Sequence, residues 1–246
     1  MITITTQDAL HKAWLYRVLI NIADNKNLSE LYFKGGTCAA MAGFLDRFSV
    51  DLDFDYVGDV SAIFRIKKEL KKLFLDLGLE VKDESGNALQ FFLKYSNQNL
   101  YDRNTLKVDI NFPPPSSNTY EPLKLNDISR VLMCQDLKTM FANKLVAITD
   151  RFQRHKSIAG RDIYDIHHYF TNNYPYNEAV ILERTGLNLL DFFNKLSTFI
   201  KEHINEKILT QDLNFLLPYK QFQGLRKTLK DETLVLIDLE IKKLSS

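Results

Sequence analysis

The order of apolar and polar residues divides this chain into two parts of different character. Ala9, Ala13, Leu15, Leu19, Ile20 and Ile22 recur with roughly helical period, predicting an amphipathic helix over residues 6–25. The apolar run Leu31-Tyr32-Phe33 reads as a strand. It enters the turn Lys34-Gly35-Gly36-Thr37, followed by a helix-tolerant stretch from Cys38 to Leu45. Val50-Asp51-Leu52-Asp53-Phe54-Asp55-Tyr56 alternates strictly between apolar and acidic residues, the period of a strand. A helix over 60–77 follows, with Ile63, Ile66, Leu70, Leu73 and Phe74 on one face. Strand-like stretches lie around 79–82, 89–95 and 105–112, and Pro113-Pro114-Pro115 ends the last, since proline has no N–H for a ladder. From about 136 the pattern is mostly helical, with turn residues near Gly160, Pro175, Gly186, Pro218 and Gly224. The fold class is therefore α+β: a mixed sheet flanked by helices in residues 1–133, then a helical bundle domain in 134–246.

Residues two apart on a strand share a face, so Asp51, Asp53 and Asp55 stand opposite Leu52, Phe54 and Tyr56. Adjacent carboxylates repel, and such a face requires solvent or a cation. The later strand repeats the arrangement, with Lys107, Asp109 and Asn111 polar and Val108, Ile110 and Phe112 apolar. If the two strands are neighbours, Asp109 joins Asp51 and Asp53 in a cluster of hard oxygen donors suited to Mg²⁺ or Mn²⁺. An Asp-rich strand is equally read as a solvated face that blocks aggregation; Asp55 in particular reads as a solvated or supporting residue. The turn offers a second element. Two glycines let backbone approach a ligand closely, and Thr37 can cap the next helix or donate its hydroxyl to a phosphate.

Further along, Leu137, Phe141, Lys144, Ile148 and Arg151 share one helical stripe, so Lys144 and Arg151 lie at or beside the packed face and need anionic partners. Those partners are either nucleotide phosphates or Asp162 and Asp165, which stand three apart on the next helix. The basic stretch Arg151, Arg154, His155, Lys156 and Arg161 reads as a solvated loop, with contact to an RNA backbone as the alternative. His167 and His168 are assigned no role.

Composition narrows these readings only slightly. With 45% hydrophobic and 26% charged residues in 246, a core is available without disulfides or structural metal. The formal net charge of +1 excludes a global field for nucleic acid. Two cysteines distant in sequence, Cys38 and Cys134, and an N-terminus carrying charges throughout its apolar pattern, lead us to expect a cytoplasmic protein with no membrane segment.

Taken together, Gly35-Gly36-Thr37 and Arg47-Phe48-Ser49-Val50-Asp51-Leu52-Asp53-Phe54 resemble the first motif of the AbiEii/AbiGii-type nucleotidyltransferase toxins, within the DNA polymerase β-like superfamily. Lys107-Val108-Asp109-Ile110 is similar to the second motif, Lys144-Leu145-Val146-Ala147 with Arg151 to the third, and Arg161-Asp162-Ile163-Tyr164-Asp165 to the fourth. The motifs span residues 34–165 and leave about the last 75 residues uncovered. A leucine common after the glycines is replaced here by Cys38-Ala39-Ala40. The resemblance implies a polymerase β-like nucleotidyltransferase domain and a metal-dependent enzyme that transfers a nucleotide from an NTP to a hydroxyl acceptor, releasing pyrophosphate. It implies Asp51, Asp53 and Asp109 as catalytic metal ligands, with Mg²⁺ or Mn²⁺ as cofactor. It implies Gly35, Gly36, Thr37 and Lys144 at the nucleotide, supported by Ser49, Arg151, Asp162 and Asp165. A toxin of a toxin–antitoxin or phage-defence system is expected, with the 3′ end of tRNA as acceptor and a cognate antitoxin as partner. The alternatives are a small-molecule, antibiotic-type nucleotidyltransferase and a non-catalytic nucleotide-binding module.

Overall fold

A mixed seven-stranded sheet organises the first half of the chain in this computed structural model, which describes residues 5–84, 89–96 and 103–245. Two units are resolved: Met1–Pro114 with Tyr120–Gln135, and Pro115–Thr119 with Asp136–Ser246. The break expected after residue 133 would cut a strand, because Arg130–Gln135 pairs with two neighbours; the chain leaves the first unit after Gln135.

The first unit opens with helix α1 (Thr6–Asp24), where Thr5 and Asp8 form a capping box that satisfies orphan N–H groups reciprocally. Strand β1 (Leu31–Lys34) runs directly into helix α2 (Gly35–Met41). Strand β2 (Asp51–Tyr56), helix α3 (Ile63–Asp76), and strands β3 (Glu80–Glu84), β4 (Leu89–Lys94) and β5 (Thr105–Asn111) follow. Strands β6 (Tyr120–Leu125) and β7 (Arg130–Gln135) complete the sheet. Its order is β3-β4-β5-β2-β1-β7-β6. The pairs β2–β5 and β1–β7 are parallel, and the others are antiparallel. The central strands bury one apolar face: Phe33 and Phe54 lie 5.3 Å apart, and Leu52, Phe91 and Val108 are fully buried. Strands β6 and β7 are not among the strands that the apolar–polar pattern predicts. β6 lies at the sheet edge, where Pro122 is tolerated, and its mixed exposure carries no clean alternation.

The second unit contains helices α4 (Leu137–His155), α5 (Gly160–Thr171), α6 (Glu178–Thr185), α7 (Leu189–His203), α8 (Glu206–Leu213), α9 (Tyr219–Leu225) and α10 (Leu229–Ser245). Side chains of Asp136, Asn177, Asn188 and Asn205 cap α4, α6, α7 and α8. Phe141, Tyr169 and Phe193 anchor its core. Gly160 is a packing residue rather than the expected turn: a Cβ there would stand 2.6 Å from the Ile208 carbonyl oxygen of α8. No described helix is long and apolar enough to cross a membrane.

Candidate active site

Strand pairing delivers the carboxylates to one face. In the parallel β2–β5 ladder Asp53 is the direct partner of Asp109, Asp51 of Lys107, and Asp55 of Asn111. Neighbouring strands are about 4.8 Å apart, so Asp53 and Asp109 are adjacent, with Asp51 one pleat away. On the other flank β1 places Lys34 opposite Asp53. Burial and the Asp51 charge, with a further push from Asp109, raise the Asp53 carboxyl to about 6, although Lys34 and Lys107 pull the other way. The face is thus negative beyond what its own lysines neutralise.

The glycine turn belongs to the same site. Gly35 has φ +78°, and a Cβ on it would fall 2.4 Å from Asp53 Oδ2. Gly36 faces the neighbouring loop, where a Cβ would meet Ser49 Oγ at 2.9 Å and Arg47 Nη2 at 3.0 Å. The doublet therefore exists so that a carboxylate and a buried guanidinium can stand against bare backbone. Arg47, quoted in the motif but given no role from sequence, is 2% exposed, and its Nη1 donates to the Phe48 carbonyl at 2.9 Å.

Thr37 departs from expectation. It is fully buried, Lys34 occupies the N-cap of α2 without a side-chain cap bond, and the Thr37 hydroxyl donates to the Asp51 carbonyl oxygen at 2.5 Å. It fastens α2 to the start of the acidic strand. His11 of α1 fastens the same point from elsewhere. Its Nε2 meets the Val50 carbonyl and its Nδ1 the Tyr95 hydroxyl, each at 2.8 Å, and burial lowers its pKa. For Asp55 the structure decides between the two readings: it is wholly buried and supporting, not solvated. Lys34 Nζ donates to it at 2.5 Å, the Tyr120 hydroxyl at 2.8 Å and Gln135 Nε2 at 2.7 Å. That network joins β1, β2, β6 and β7.

Asp109 is engaged within the sheet. Lys107 Nζ donates to its Oδ2 at 2.7 Å and Gln90 Nε2 to the same oxygen at 3.0 Å. Among the described residues no three His, Cys, Asp or Glu side chains stand in a ready metal cage. The donor chemistry fits a hard divalent cation: carboxylates on one face, an unneutralised negative potential, and a glycine at Asp53 that leaves its carboxylate room. Asp51, Asp53 and Asp109 would hold it.

In the second unit Lys144 Nζ lies 3.1 Å from Asp162 Oδ1 and 2.9 Å from Asp165 Oδ2, both carboxylates being wholly buried. Arg151 Nε approaches Asp162 Oδ2 at 3.6 Å, an ion pair without a hydrogen bond. This is the helix-pinning network foreseen as the alternative to phosphate binding. His167 pairs with Glu232 at 2.9 Å. Cys38 and Cys134, distant in sequence, meet in the core as free thiols, and burial pushes the Cys38 thiol well up.

Comparison with known proteins places these features in context. The family model described as "Nucleotidyl transferase AbiEii toxin, Type IV TA system" matches residues 17–235, reaching well beyond the motifs that end at Asp165. No curated protein matches the chain. A Helicobacter pylori structure described as a candidate nucleotidyltransferase superposes with TM-score 0.61 at 21% identity, covering 98% of each chain. JHP933 from Helicobacter pylori gives 0.60 at 22%, covering 99% of this chain and 95% of that one. An antigenic nucleotidyltransferase-like protein from Paracoccidioides brasiliensis gives 0.51 at 15%, covering 90% and 99%.

Proposed function

Because the chain belongs to the nucleotidyl transferase AbiEii toxin family, we propose that it transfers a nucleotide from an NTP to a hydroxyl acceptor at the β2–β5 carboxylate face. The observation that carries this reading is the register that sets Asp53 beside Asp109, with Gly35 held against the Asp53 carboxylate. The acceptor hydroxyl attacks the α-phosphorus in line, the bond to the bridging oxygen breaks, and pyrophosphate departs. Mg²⁺ or Mn²⁺ bound by Asp51, Asp53 and Asp109 would acidify the acceptor hydroxyl and neutralise charge on the leaving group. Asp109 accepts the hydroxyl proton. The first backbone N–H groups of α2, at Gly35, Gly36 and Thr37, have no partner within the helix and are offered to the β- and γ-phosphates. Ser49 and Arg47 support that turn. No covalent enzyme intermediate is required; positioning and charge stabilisation carry the rate.

The family points to the toxin of a toxin–antitoxin pair, with a cognate antitoxin as partner, and we take the acceptor to be the 3′ end of tRNA. Incubation with each labelled NTP, Mg²⁺ and total RNA tests this. Label should appear on tRNA with the wild type and vanish with Asp53→Ala. Label on a small molecule but on no RNA would overturn the acceptor. Equal labelling by Asp53→Ala would overturn the site.

A further inference from the structure

The carboxylate face carries its own cation. Lys107 precedes Asp109 by two residues, so both side chains leave β5 on the same face, and Lys107 is also the register partner of Asp51. Its ammonium is thus placed between the carboxylates of two strands, and it reaches Asp109 Oδ2 at 2.7 Å with a side chain only 29% exposed. Gln90, the β4 partner of Asp109, donates to that same oxygen, while Asp109 Oδ1 takes no hydrogen bond from any described residue. One carboxylate oxygen is held by two donors and the other is left open. The two donors differ in kind. The glutamine amide is neutral and fixed across the ladder; the ammonium is a mobile point charge on a flexible stem.

We propose that Lys107 is a resident counter-ion of this site: it occupies Asp109 in the metal-free protein and competes with the divalent cation for the same carboxylates. Gln90 stays in place and fixes the orientation of Asp109 through the exchange, as a hydrogen-bond partner of a metal-binding carboxylate does. A charge at this distance from Asp109 relieves the mutual repulsion of Asp51, Asp53 and Asp109 when no cation is present. The same charge opposes an incoming cation. Lys107 therefore weakens metal binding in exchange for a stable apo-protein. The inference rests on reading the face as a metal site.

Mn²⁺ titration of the full chain without nucleotide, read by calorimetry, separates the two ideas when run on wild type, Lys107→Met, Lys107→Arg and Asp53→Asn. Lys107→Met should bind Mn²⁺ about tenfold more tightly, since a unit charge a few ångströms from the ion has been removed. Lys107→Arg, which keeps the charge, should stay within a few-fold of wild type. In chelator Lys107→Met should melt below wild type, and saturating Mn²⁺ should close that gap, which a merely structural lysine would not do. Unchanged or weaker Mn²⁺ affinity in Lys107→Met, with wild-type circular dichroism, overturns the counter-ion role while leaving the metal reading intact. Equal Mn²⁺ affinity in wild type and Asp53→Asn overturns the metal reading and this inference with it.

Discussion

At the scale of single residues, the site is a place where stability is given up for charge. Burial, reinforced by Asp51, lifts the Asp53 carboxyl from its ordinary 3.8 to about 6. A raised acid binds its proton more tightly folded than unfolded, so stability falls as pH rises through that window and stays low above it. Asp53→Asn removes this penalty. It should melt higher than wild type above pH 6 in chelator, by on the order of 1–3 kcal/mol, with the advantage gone below about pH 4. Nucleotide transfer should be lost throughout. Thermal melts across pH 4–8 check this, and equal melting at pH 8 would contradict the electrostatic account. Gly35→Ala makes the opposite trade. It forces a side chain into φ +78° and a Cβ to 2.4 Å from Asp53 Oδ2, so it should destabilise by about 1–3 kcal/mol and cut activity at least tenfold. Asp51, Asp53 and the glycine doublet were legible in the sequence because their spacing is short, and Asp109 because its strand repeats the same alternation. Lys107 and Gln90 were not given a role there, since each looks like an ordinary polar position on an alternating strand. The Thr37 hydroxyl was misplaced and Asp55 was left open between solvent and support, because burial of a polar side chain depends on partners from distant strands.

At the scale of elements, periodicity identified α1, α3, β2 and β5 to within a few residues, since each buries one uninterrupted face. It missed β6, an edge strand carrying Pro122, and β7, an interior strand whose run Val131-Leu132-Met133-Cys134 does not alternate. It also placed Lys144 on a packed stripe but could not choose between phosphate and carboxylate partners. The resting arrangement is the ion network: Lys144 serves two wholly buried carboxylates, and Arg151 approaches one of them, Asp162, at 3.6 Å. Lys144→Met removes the ammonium that two buried carboxylates share and should lower stability by about 3 kcal/mol in denaturant titrations. A loss below about 0.5 kcal/mol would mean the network is dispensable. Segment 115–119 is held to α6 by Glu183. Its carboxylate accepts the N–H groups of Ser116 at 2.8 Å and Ser117 at 2.7 Å, and both serine hydroxyls. Those bonds depress its pKa from 4.5 to about 2. A depressed acid stabilises the fold above its unfolded value, and the contribution fades as pH falls from about 4.5 toward 2. Glu183→Gln should therefore flatten the acid limb of the stability profile in that interval and leave the profile above pH 5 parallel to wild type.

At the scale of the whole chain, a net charge of +1 means that no long-range field gathers nucleic acid, so an RNA acceptor must be held by local cations. The basic run at the end of α4 is the group on which the proposed RNA acceptor is tested. Arg154, His155 and Lys156 are exposed, and Lys156 sits over the Phe152 ring at 5.3 Å, which fixes an ammonium at the helix end. Sequence alone favoured a solvated loop here, and exposure by itself fits both readings. Salt dependence distinguishes them. If these side chains neutralise acceptor phosphates, Arg154→Glu with Lys156→Glu should raise the RNA KM roughly tenfold at moderate salt while leaving the NTP KM unchanged. The slope of log affinity against log salt should flatten by about 2, one for each phosphate contact removed. Unchanged RNA KM and slope would return the run to the solvated reading. An equal rise in the KM for NTP would instead mean that the substitutions disturb the fold as a whole and report on no RNA contact.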